Sequence, residues 1–342
     1  MFPSPAPIPA PHRAPPQIAI SRQLRPEAPP WGQVLHSLQG QTMGTSWSLL
    51  CYGPAALRLA PVQAAVQARL DALVAELSHW EPRSLLCRFN GLRVGEGLDL
   101  PPDFAAVIAA ALHVAEASAG AFDPCMGALV QRWGFGPPGQ PPAQARAPLQ
   151  AWRELRWDAP RRHLMQPGGL MLDFSAIAKG HAVDCISALL VELGLPHHLV
   201  EIGGELRGQG LKPEGQPWWV DVEPPATDCD LPTLRIALHQ LAVASSGDYR
   251  RFRIDEQGRR LSHTLDPRTG QPVAHELALV SVLHESAMWA DAWSTALMVL
   301  GPEQGLTLAA SRGLAARLVL REGGGWRQLL SPALQALLED AA

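Results

Sequence analysis

Short segments rich in β-branched and aliphatic residues follow one another in the second half of this 342-residue chain, and turn residues rather than helical patterns separate most of them. Strands in direct succession favour antiparallel pairing, whereas a doubly wound sheet needs a helix between one strand and the next. We therefore predict an α+β fold with mixed, largely antiparallel sheets and packed helices. The segments are residues 199–204, 218–223, 234–239, 241–246 and 250–254.

Helical periodicity predicts the elements that cover these strands. Apolar residues share one face of residues 61–77, and a second helix is predicted over 103–118, with Asp103 placed to cap its N-terminus. Residues 169–174 are predicted to form a strand that leads into a further helix. Residues 287–300 are predicted to form a helix that is apolar nearly all round, which is typical of a buried helix.

The composition supports a sizeable hydrophobic core and argues against nucleic-acid binding. Hydrophobic residues make up 47% of the chain and charged residues 18%, and the net charge of -4 leaves no basic surplus to neutralise a phosphate backbone. Residues 1–30 are rich in proline and are predicted to be a disordered tail, followed by a single domain over 31–342. Within that domain, residues 134–148 are predicted to be a surface loop rich in proline and glycine.

Targeting signals and cysteines bear on the compartment. The sequence shows no apolar run long enough to cross a membrane and no visible signal peptide or lipobox, so we expect a cytoplasmic protein without stable membrane insertion, or a periplasmic one if the true start differs. The cysteines are odd in number and form no C-x-x-C pair, which argues against a disulfide framework or a zinc site and is typical of reduced thiols. They are Cys51, Cys87, Cys125, Cys185 and Cys229.

The apolar helix carries a candidate metal site. Asp291, Ser294 and Thr295 are spaced i, i+3 and i+4, which places three oxygen-bearing side chains on one face. A carboxylate in such a helix is costly to bury unless something compensates its charge, and a hard cation such as Mg²⁺ prefers oxygen ligands. The alternative that stays open is that the two hydroxyls bond back to the preceding turn while Asp291 meets an arginine.

Two further segments carry candidate functional side chains. Asp173 precedes a predicted helix start, and Lys179, one of only two lysines in the chain, follows within that helix. Helix starts favour anions, so Lys179 is a candidate partner for a phosphate or for a neighbouring acid; the alternative is a surface lysine and a capping aspartate. His263 lies among turn signals and is a candidate general acid or base, although a lone histidine is more often structural.

Several well-known catalytic motifs are missing. The chain contains no G-x-x-x-x-G-K-[ST], G-x-G-x-x-G, G-x-S-x-G or H-E-x-x-H pattern. Each of these motifs marks a particular chemistry: the P-loop, the dinucleotide-binding turn, the nucleophile elbow and the zinc-protease helix. Their absence disfavours serine hydrolysis and zinc proteolysis.

Taken together, the chain resembles the FAD:protein FMN transferases, the ApbE-like family of flavin-attaching enzymes. Eight segments match in order and span residues 43–301, so the resemblance is specific and covers most of the chain. It implies an α+β architecture related to the T-fold. The matching segments are MGTSW, SHWEPRSLLCRFN, GAFDPCMGALVQRWGFG, LDFSAIAKGHAVD, VEIGGELRGQG, VASSGDYRRF, LSHTLDPRTGQPV and ADAWSTALMVLG.

The resemblance implies a reaction and a metal site. The family uses a divalent cation, usually Mg²⁺, to cleave the pyrophosphate of FAD, moves FMN to a threonine or serine hydroxyl of a target flavoprotein and releases AMP. By resemblance the metal is held by Asp291, Ser294 and Thr295 together with the backbone carbonyl of Ala176. His263 matches the histidine to which the family assigns help with proton transfer.

The resemblance also implies an FAD-binding set, and two other functions stay open. One is an FAD pyrophosphatase that releases FMN and AMP, and the other is a protein that binds FAD without catalysis. No nucleic-acid partner is expected; the expected partner is an acceptor flavoprotein subunit. The residues implied around FAD are Met43, Trp80, Ala121, Phe122, Asp123, Asp173, Lys179 and Leu265.

Overall fold

The computed structural model describes residues 15–20, 29, 32–249, 251–258 and 260–339. Within these residues the helical content falls mostly between the strands of the first half and near the C-terminus. Two short 3₁₀ turns, at Ala151–Glu154 and Pro213–Gly215, accompany the α-helices. The α-helices are α1 (Leu59–Leu77), α2 (Leu85–Asn90), α3 (Pro102–Ala117), α4 (Gly127–Arg132), α5 (Ala178–Glu192), α6 (Ala287–Ser311) and α7 (Pro332–Glu339).

One large antiparallel sheet organises the fold. Its eight strands run in the order β18-β17-β16-β11-β8-β7-β3-β2, and every neighbouring pair is antiparallel. The predicted α+β class with largely antiparallel sheets is therefore confirmed. The strands of this sheet are β2 (Gln33–Thr42), β3 (Thr45–Pro54), β7 (His198–Ile202), β8 (Glu205–Gln209), β11 (Leu241–Gly247), β16 (Leu277–His284), β17 (Ala315–Glu322) and β18 (Gly325–Leu330).

Smaller sheets surround the large one. Two have three strands, in the orders β1-β10-β9 and β4-β6-β5, and two are hairpins. In the first of these, β1 pairs with β10 in parallel, whereas the other strand pairs of the small sheets are antiparallel. Their strands are β1 (Gln17–Ala19), β4 (Gly97–Asp99), β5 (Arg156–Asp158), β6 (His163–Met165), β9 (Trp218–Asp221), β10 (Leu234–Leu238), β12 (Phe252–Ile254), β13 (Arg260–Ser262), β14 (Leu265–Asp266) and β15 (Gln271–Pro272).

Both faces of the large sheet are buried, each in a core of its own. Successive side chains of a strand point to opposite faces, so Leu49 packs on the side of α1, α3, α5 and α6, whereas Leu50 packs on the other side. The same alternation puts Ala242 in the first core and Val243 in the second. The second core is closed by β1, β9, β10 and α7. This double coverage explains why β16 is apolar along nearly its whole length.

Three local predictions are wrong. Residues 17–19 of the predicted disordered tail over 1–30 form β1, while most of that tail lies outside the described residues. Residues 169–174 form no strand and contribute only a bridge from Met171 to Met126, because the chain turns directly into α5. Asp103 does not cap α3, which begins after Pro101, because its carboxylate is bound instead by side chains of α1 and α5.

The remaining helices agree with the periodicity. α1 ends at Leu77 as the pattern predicts, and the apolar helix forms as the first part of α6. Gly301, at φ 80°, and Pro302 interrupt α6, so the second part of this element turns away after the predicted 287–300 segment. Residues 134–148 contain no helix or strand. None of the described helices combines the length and the apolar character that a membrane span requires.

Asp184 of α5 fixes the start of α6. Its carboxylate accepts hydrogen bonds from the Ser286 hydroxyl at 2.6 Å and from the backbone N–H groups of Ala287 and Met288, each at 3.0 Å. Arg207 of β8 donates to the same carboxylate at 2.9 Å. The first N–H groups of a helix have no partner within the helix, so a carboxylate from another element satisfies them and offsets the positive end of the helix.

We predict that Asp184→Ala lowers the free energy of unfolding by about 1–3 kcal/mol, because the N–H groups of α6 and the guanidinium of Arg207 lose a common acceptor. Urea denaturation followed by circular dichroism measures this change. Asp230→Ala is the matched control, since Asp230 is exposed and should change stability by less than about 0.5 kcal/mol. Equal effects of the two substitutions would contradict this role of Asp184.

Candidate active site

Asp291 is a buried carboxylate where α6 packs on the start of α5. It is 3% exposed, and its Oδ2 accepts a hydrogen bond from the backbone N–H of Gly180 at 3.0 Å. Burial raises the pKa of Asp291, while the charge of Lys179 and the Gly180 N–H act in the opposite direction. The positive neighbour is therefore a lysine and not the arginine considered above. A carboxylate in this state gains free energy from contact with a cation.

Gly180 allows the close approach of α5 and α6. A Cβ at this position would overlap the carbonyl oxygen of Ala287 and lie 2.8 Å from the Cβ of Asp291. Only a residue without a side chain leaves room for the N–H to reach the carboxylate. The segment that carries Lys179 is therefore held directly against the helix that carries the candidate metal ligands.

The hydroxyls of α6 belong to a cluster that includes β11. Ser246 Oγ lies 2.7 Å from Ser294 Oγ and 2.9 Å from Thr295 Oγ1. Ser294 also donates to the backbone carbonyl of Asp291 at 2.9 Å, so the bond back to the preceding turn occurs at Ser294 as well. Ser246 was not among the predicted site residues; its signal is the polar pair Ser245-Ser246 at the end of an apolar strand. Hard cations bind such groupings of hydroxyl and carboxylate oxygens.

Lys179 pairs with a buried glutamate. Its Nζ lies 2.6 Å from Oε1 of Glu205, which follows the Gly203-Gly204 turn between β7 and β8. Burial raises the pKa of Glu205 to about 7, against the lowering effect of Lys179, and Asp291 raises it further. Oε2 of Glu205 is buried and has no hydrogen-bond partner among the described residues. The donor set of α6, β8 and β11 thus contains an unsatisfied oxygen and fits an oxygen-seeking cation.

His263 follows β13 and is held by one hydrogen bond. Its Nδ1 lies 2.9 Å from the carbonyl oxygen of Arg251, which can only accept, so Nδ1 carries the proton and Nε2 offers a lone pair. Burial lowers the pKa of His263, and the charge of Lys179 lowers it too. The charge of Lys179 also lowers the pKa values of Glu205 and Asp291, so one ammonium influences the titration of all three groups.

Asp173 lies between the turn after α1 and the start of α5. Its Oδ1 accepts from the N–H of Ser175 at 2.7 Å and lies 3.4 Å from Nδ1 of His79. Oδ2 of Asp173 and Nε2 of His79 are both buried without a hydrogen-bond partner in the described chain. Trp80 is 49% exposed, and its ring centroid lies 5.5 Å from that of His79. Asn90 secures this region through two hydrogen bonds with the backbone of Leu172.

The 121–123 segment is fastened to Asp173 and to the β14–β15 hairpin. The carbonyl of Pro124 accepts from the N–H of Asp173 at 2.8 Å. Asp123 accepts from the N–H groups of Cys125 at 2.8 Å and Trp152 at 3.2 Å, and burial raises the pKa of Asp123 to about 6. The segment that contains Trp152 also reaches the β14–β15 hairpin, because the N–H of Gln150 donates to the carbonyl of Pro267. Leu265 of that hairpin is buried, as are Ala121 and Phe122.

Met43 and Ala176 complete the predicted set. Met43, at φ 48°, lies in the turn between β2 and β3, next to Thr45. A Cβ on Gly203 would lie 2.9 Å from Thr45 and 3.4 Å from the stem of Lys179, so this turn belongs to the Lys179 region. Ala176 is half-buried in the turn between Asp173 and α5. The structure therefore groups Asp291, Ser294, Thr295 and Lys179 most tightly, with Asp173 and Ala176 in the adjoining segment.

Comparisons with known proteins point in one direction. Residues 43–318 match the model of the ApbE family. A protein of Klebsiella pneumoniae named FAD:protein FMN transferase is 33% identical over 313 residues, which covers 88% of this chain and 89% of that protein. One of the same name from Haemophilus influenzae is 35% identical over 317 residues, covering 89% of this chain and 91% of its own.

Solved structures agree with the sequence comparisons. The apo form of the flavinyl transferase ApbE of Pseudomonas stutzeri superposes with a TM-score of 0.80 at 36% identity, covering 90% of this chain and 97% of that one. The flavin transferase ApbE of Vibrio cholerae gives a TM-score of 0.78 at 30% identity, covering 89% and 99%.

The environment of Asp123 generates a pH prediction. Its pKa rises from 3.8 to about 6 on folding, so over this interval the folded state holds a proton that the unfolded state has lost. Stability conferred by this proton is therefore present below pH 3.8 and lost as the pH rises to about 6. Relative to Asp123→Asn, wild-type protein should lose up to about 3 kcal/mol of unfolding free energy across that interval, measured by urea denaturation. Parallel pH profiles of the two proteins would contradict the assignment.

Proposed function

This chain belongs to the ApbE family, and we propose that a Mg²⁺ ion held by α6 supports its reaction, the transfer of the FMN moiety of FAD to a target protein. The acceptor in this proposal is a threonine or serine hydroxyl, the new bond is a phosphoester and AMP leaves. The chain is an enzyme, and the relatives that carry the name FAD:protein FMN transferase match it at more than 30% identity over most of its length.

The buried carboxylate of Asp291 carries the metal part of the proposal. It lies in an apolar helix, its pKa is raised by burial, and it has the hydroxyls of Ser294 and Thr295 on the same helical face. We propose that these three side chains and the carbonyl of Ala176 bind the ion. When bound, Mg²⁺ supplies positive charge at the phosphate oxygens of FAD as the pyrophosphate bond breaks.

Lys179 and Glu205 complement this charge. The ammonium of Lys179 is compact, pairs with the buried carboxylate of Glu205 and acts electrostatically on Asp291. We propose that it contacts a phosphate of FAD, which then shares the ammonium with Glu205. An arginine would present a planar fork here in place of a compact charge.

His263 is proposed as the group that takes the proton of the acceptor hydroxyl. Its Nδ1 is occupied by the carbonyl of Arg251, and its lowered pKa keeps Nε2 unprotonated near neutral pH. The hydroxyl oxygen then bonds to the phosphorus of the FMN half, the proton passes to Nε2, and the bond between that phosphorus and the bridging oxygen breaks to release AMP. General-base help of this kind contributes about 10²–10⁴-fold to a rate.

The remaining residues are proposed to orient FAD. Trp80 offers an open ring face on which a flavin or adenine ring can stack. Oδ2 of Asp173 has no hydrogen-bond partner among the described residues, so it can accept a hydrogen bond from the dinucleotide. A cytoplasmic location and a flavoprotein subunit as acceptor are further parts of the proposal. The other proposed FAD-binding residues are Met43, Ala121, Phe122, Asp123 and Leu265.

The proposed reaction can be tested directly. Purified protein, FAD and Mg²⁺ should make AMP and should add to a flavoprotein subunit the mass of FMN less one water, at a threonine or serine. Intact-mass spectrometry and fluorescence that survives denaturation measure the product. AMP formed without labelled protein would instead favour the pyrophosphatase, and bound FAD without AMP would favour a binding protein.

The second prediction is that Asp291→Asn lowers the Mg²⁺-dependent rate by about 10²–10³-fold or more, because the ion loses its one charged ligand. The asparagine oxygen can still accept from Gly180, so the protein should fold. Asp221→Asn is the control, since this carboxylate pairs with Arg235 on the β9–β10 sheet, away from α6. AMP formation at the wild-type rate in Asp291→Asn would show that this helix face is structural.

A further inference from the structure

A second group of metal-binding side chains lies where α1, α3 and α5 meet. It contains Asp103 at the start of α3 and His181 and Cys185 of α5, and it shares no residue with the site proposed above. We propose that these three residues form a binding site for a zinc ion or a similar divalent cation that favours nitrogen and sulfur ligands. The site ties α5 to α3 and is separate from the FAD reaction.

The spacing of the three ligand atoms fits a tetrahedral ion. Oδ1 of Asp103 lies 2.9 Å from Nε2 of His181 and 3.6 Å from Sγ of Cys185, and the nitrogen and sulfur are 3.4 Å apart. With bonds of about 2.0–2.3 Å to zinc, the edges of a tetrahedron measure about 3.3–3.6 Å. An ion at the centre therefore requires movements of only a few tenths of an ångström.

The fold places these atoms on rigid elements. His181 and Cys185 are spaced i and i+4, so they lie one above the other on one face of α5. Asp103 enters from the first turn of α3, and the three donors are an oxygen, a nitrogen and a sulfur. This donor set is typical of zinc and unlike the all-oxygen set of α6. Sequence motifs of zinc sites do not reveal it, because its ligands come from segments that are distant in the chain.

The neighbouring charges are a competitor for the ion and one more acidic side chain. Arg69 of α1 donates to both oxygens of Asp103 at 2.8 Å and to Cys185 at 3.3 Å, and its side chain is 32% exposed, so it can turn towards water. Glu76 lies further along α1, and its buried Oε2 has no hydrogen-bond partner among the described residues. Burial and then the charge of Asp103 raise the pKa of Glu76, which a nearby cation would reverse.

Without an ion the group is held by hydrogen bonds. Burial lowers the pKa of His181, but the bonds to Asp103 and Cys185 outweigh it and raise that pKa to about 9. The bond from His181, together with those from Arg69, lowers the pKa of Asp103. Binding of zinc would release the thiol proton of Cys185 and a proton of a charged His181, because both side chains bind the ion in their deprotonated forms.

Binding of Co²⁺ and Zn²⁺ to metal-free protein tests the site. Co²⁺ should give a sulfur-to-metal charge-transfer band, which the oxygen ligands of α6 cannot produce, and Zn²⁺ should abolish the band by displacement. In Cys185→Ser the band should vanish, and competition with a chromophoric chelator should show zinc binding weakened by at least about 100-fold, since even partners of metal ligands contribute about 10–100-fold. His181→Gln should weaken zinc binding similarly.

Matched variants separate this site from other causes. Cys87→Ser should keep the band, because the half-buried thiol of Cys87 donates to backbone carbonyls of the α1–α2 turn and is not part of the proposed ligand group. Asp291→Asn should keep it as well, and circular dichroism establishes that each variant is folded. No band in wild-type protein, or a band that persists in both Cys185→Ser and His181→Gln, would overturn the proposal and leave an ordinary ion-pair network.

Discussion

The burial of one carboxylate at the junction of two helices determines which charges the rest of the site must supply. Asp291 is nearly sealed from water, and its carboxylate accepts a hydrogen bond from the N–H of Gly180 on the neighbouring helix. One such bond does not replace the hydration of a carboxylate, so the remaining stabilisation must come from charge. Lys179 supplies part of it, and a bound cation would supply the rest. The geometry of α5 against α6 therefore decides whether the site can exist.

The large sheet makes that geometry possible. β7 and β8 bring Glu205 to the ammonium of Lys179, β11 brings Ser246 to the hydroxyls of α6, and Asp184 holds the beginning of α6 against α5 and β8. Each contact joins a helix to a strand end or to another helix. The chemistry is thus built on regular elements, whereas the residues proposed to hold the flavin lie mostly in turns between them. Rigid placement of charged groups with adaptable contacts to the ligand suits a large, flexible dinucleotide.

Patterns of local spacing predicted the parts of the molecule that depend on local spacing. The apolar face of α1 and the three oxygen-bearing positions of α6 could both be derived from periodicity. Pairings across long chain separations could not. Glu205 reads as an ordinary residue after a glycine turn, and nothing near Asp103 indicates that Arg69 and His181 will occupy its carboxylate and prevent it from capping α3. Strand β1 was not predicted for the same reason, because its partner β10 lies more than two hundred residues away in the chain.

The two ends of the described chain meet on the far side of the sheet from the proposed catalytic groups. β1 lies beside β10, Gln17 bonds to Gln328, and the N–H of Ile20 donates to the carbonyl of Leu337 in α7. Removing β1 or α7 by truncation would expose the hydrophobic surface that includes β10 and Trp218. A truncation of the proline-rich N-terminal segment should therefore keep Gln17 and the residues after it, since losing β1 would expose a hydrophobic surface that promotes aggregation.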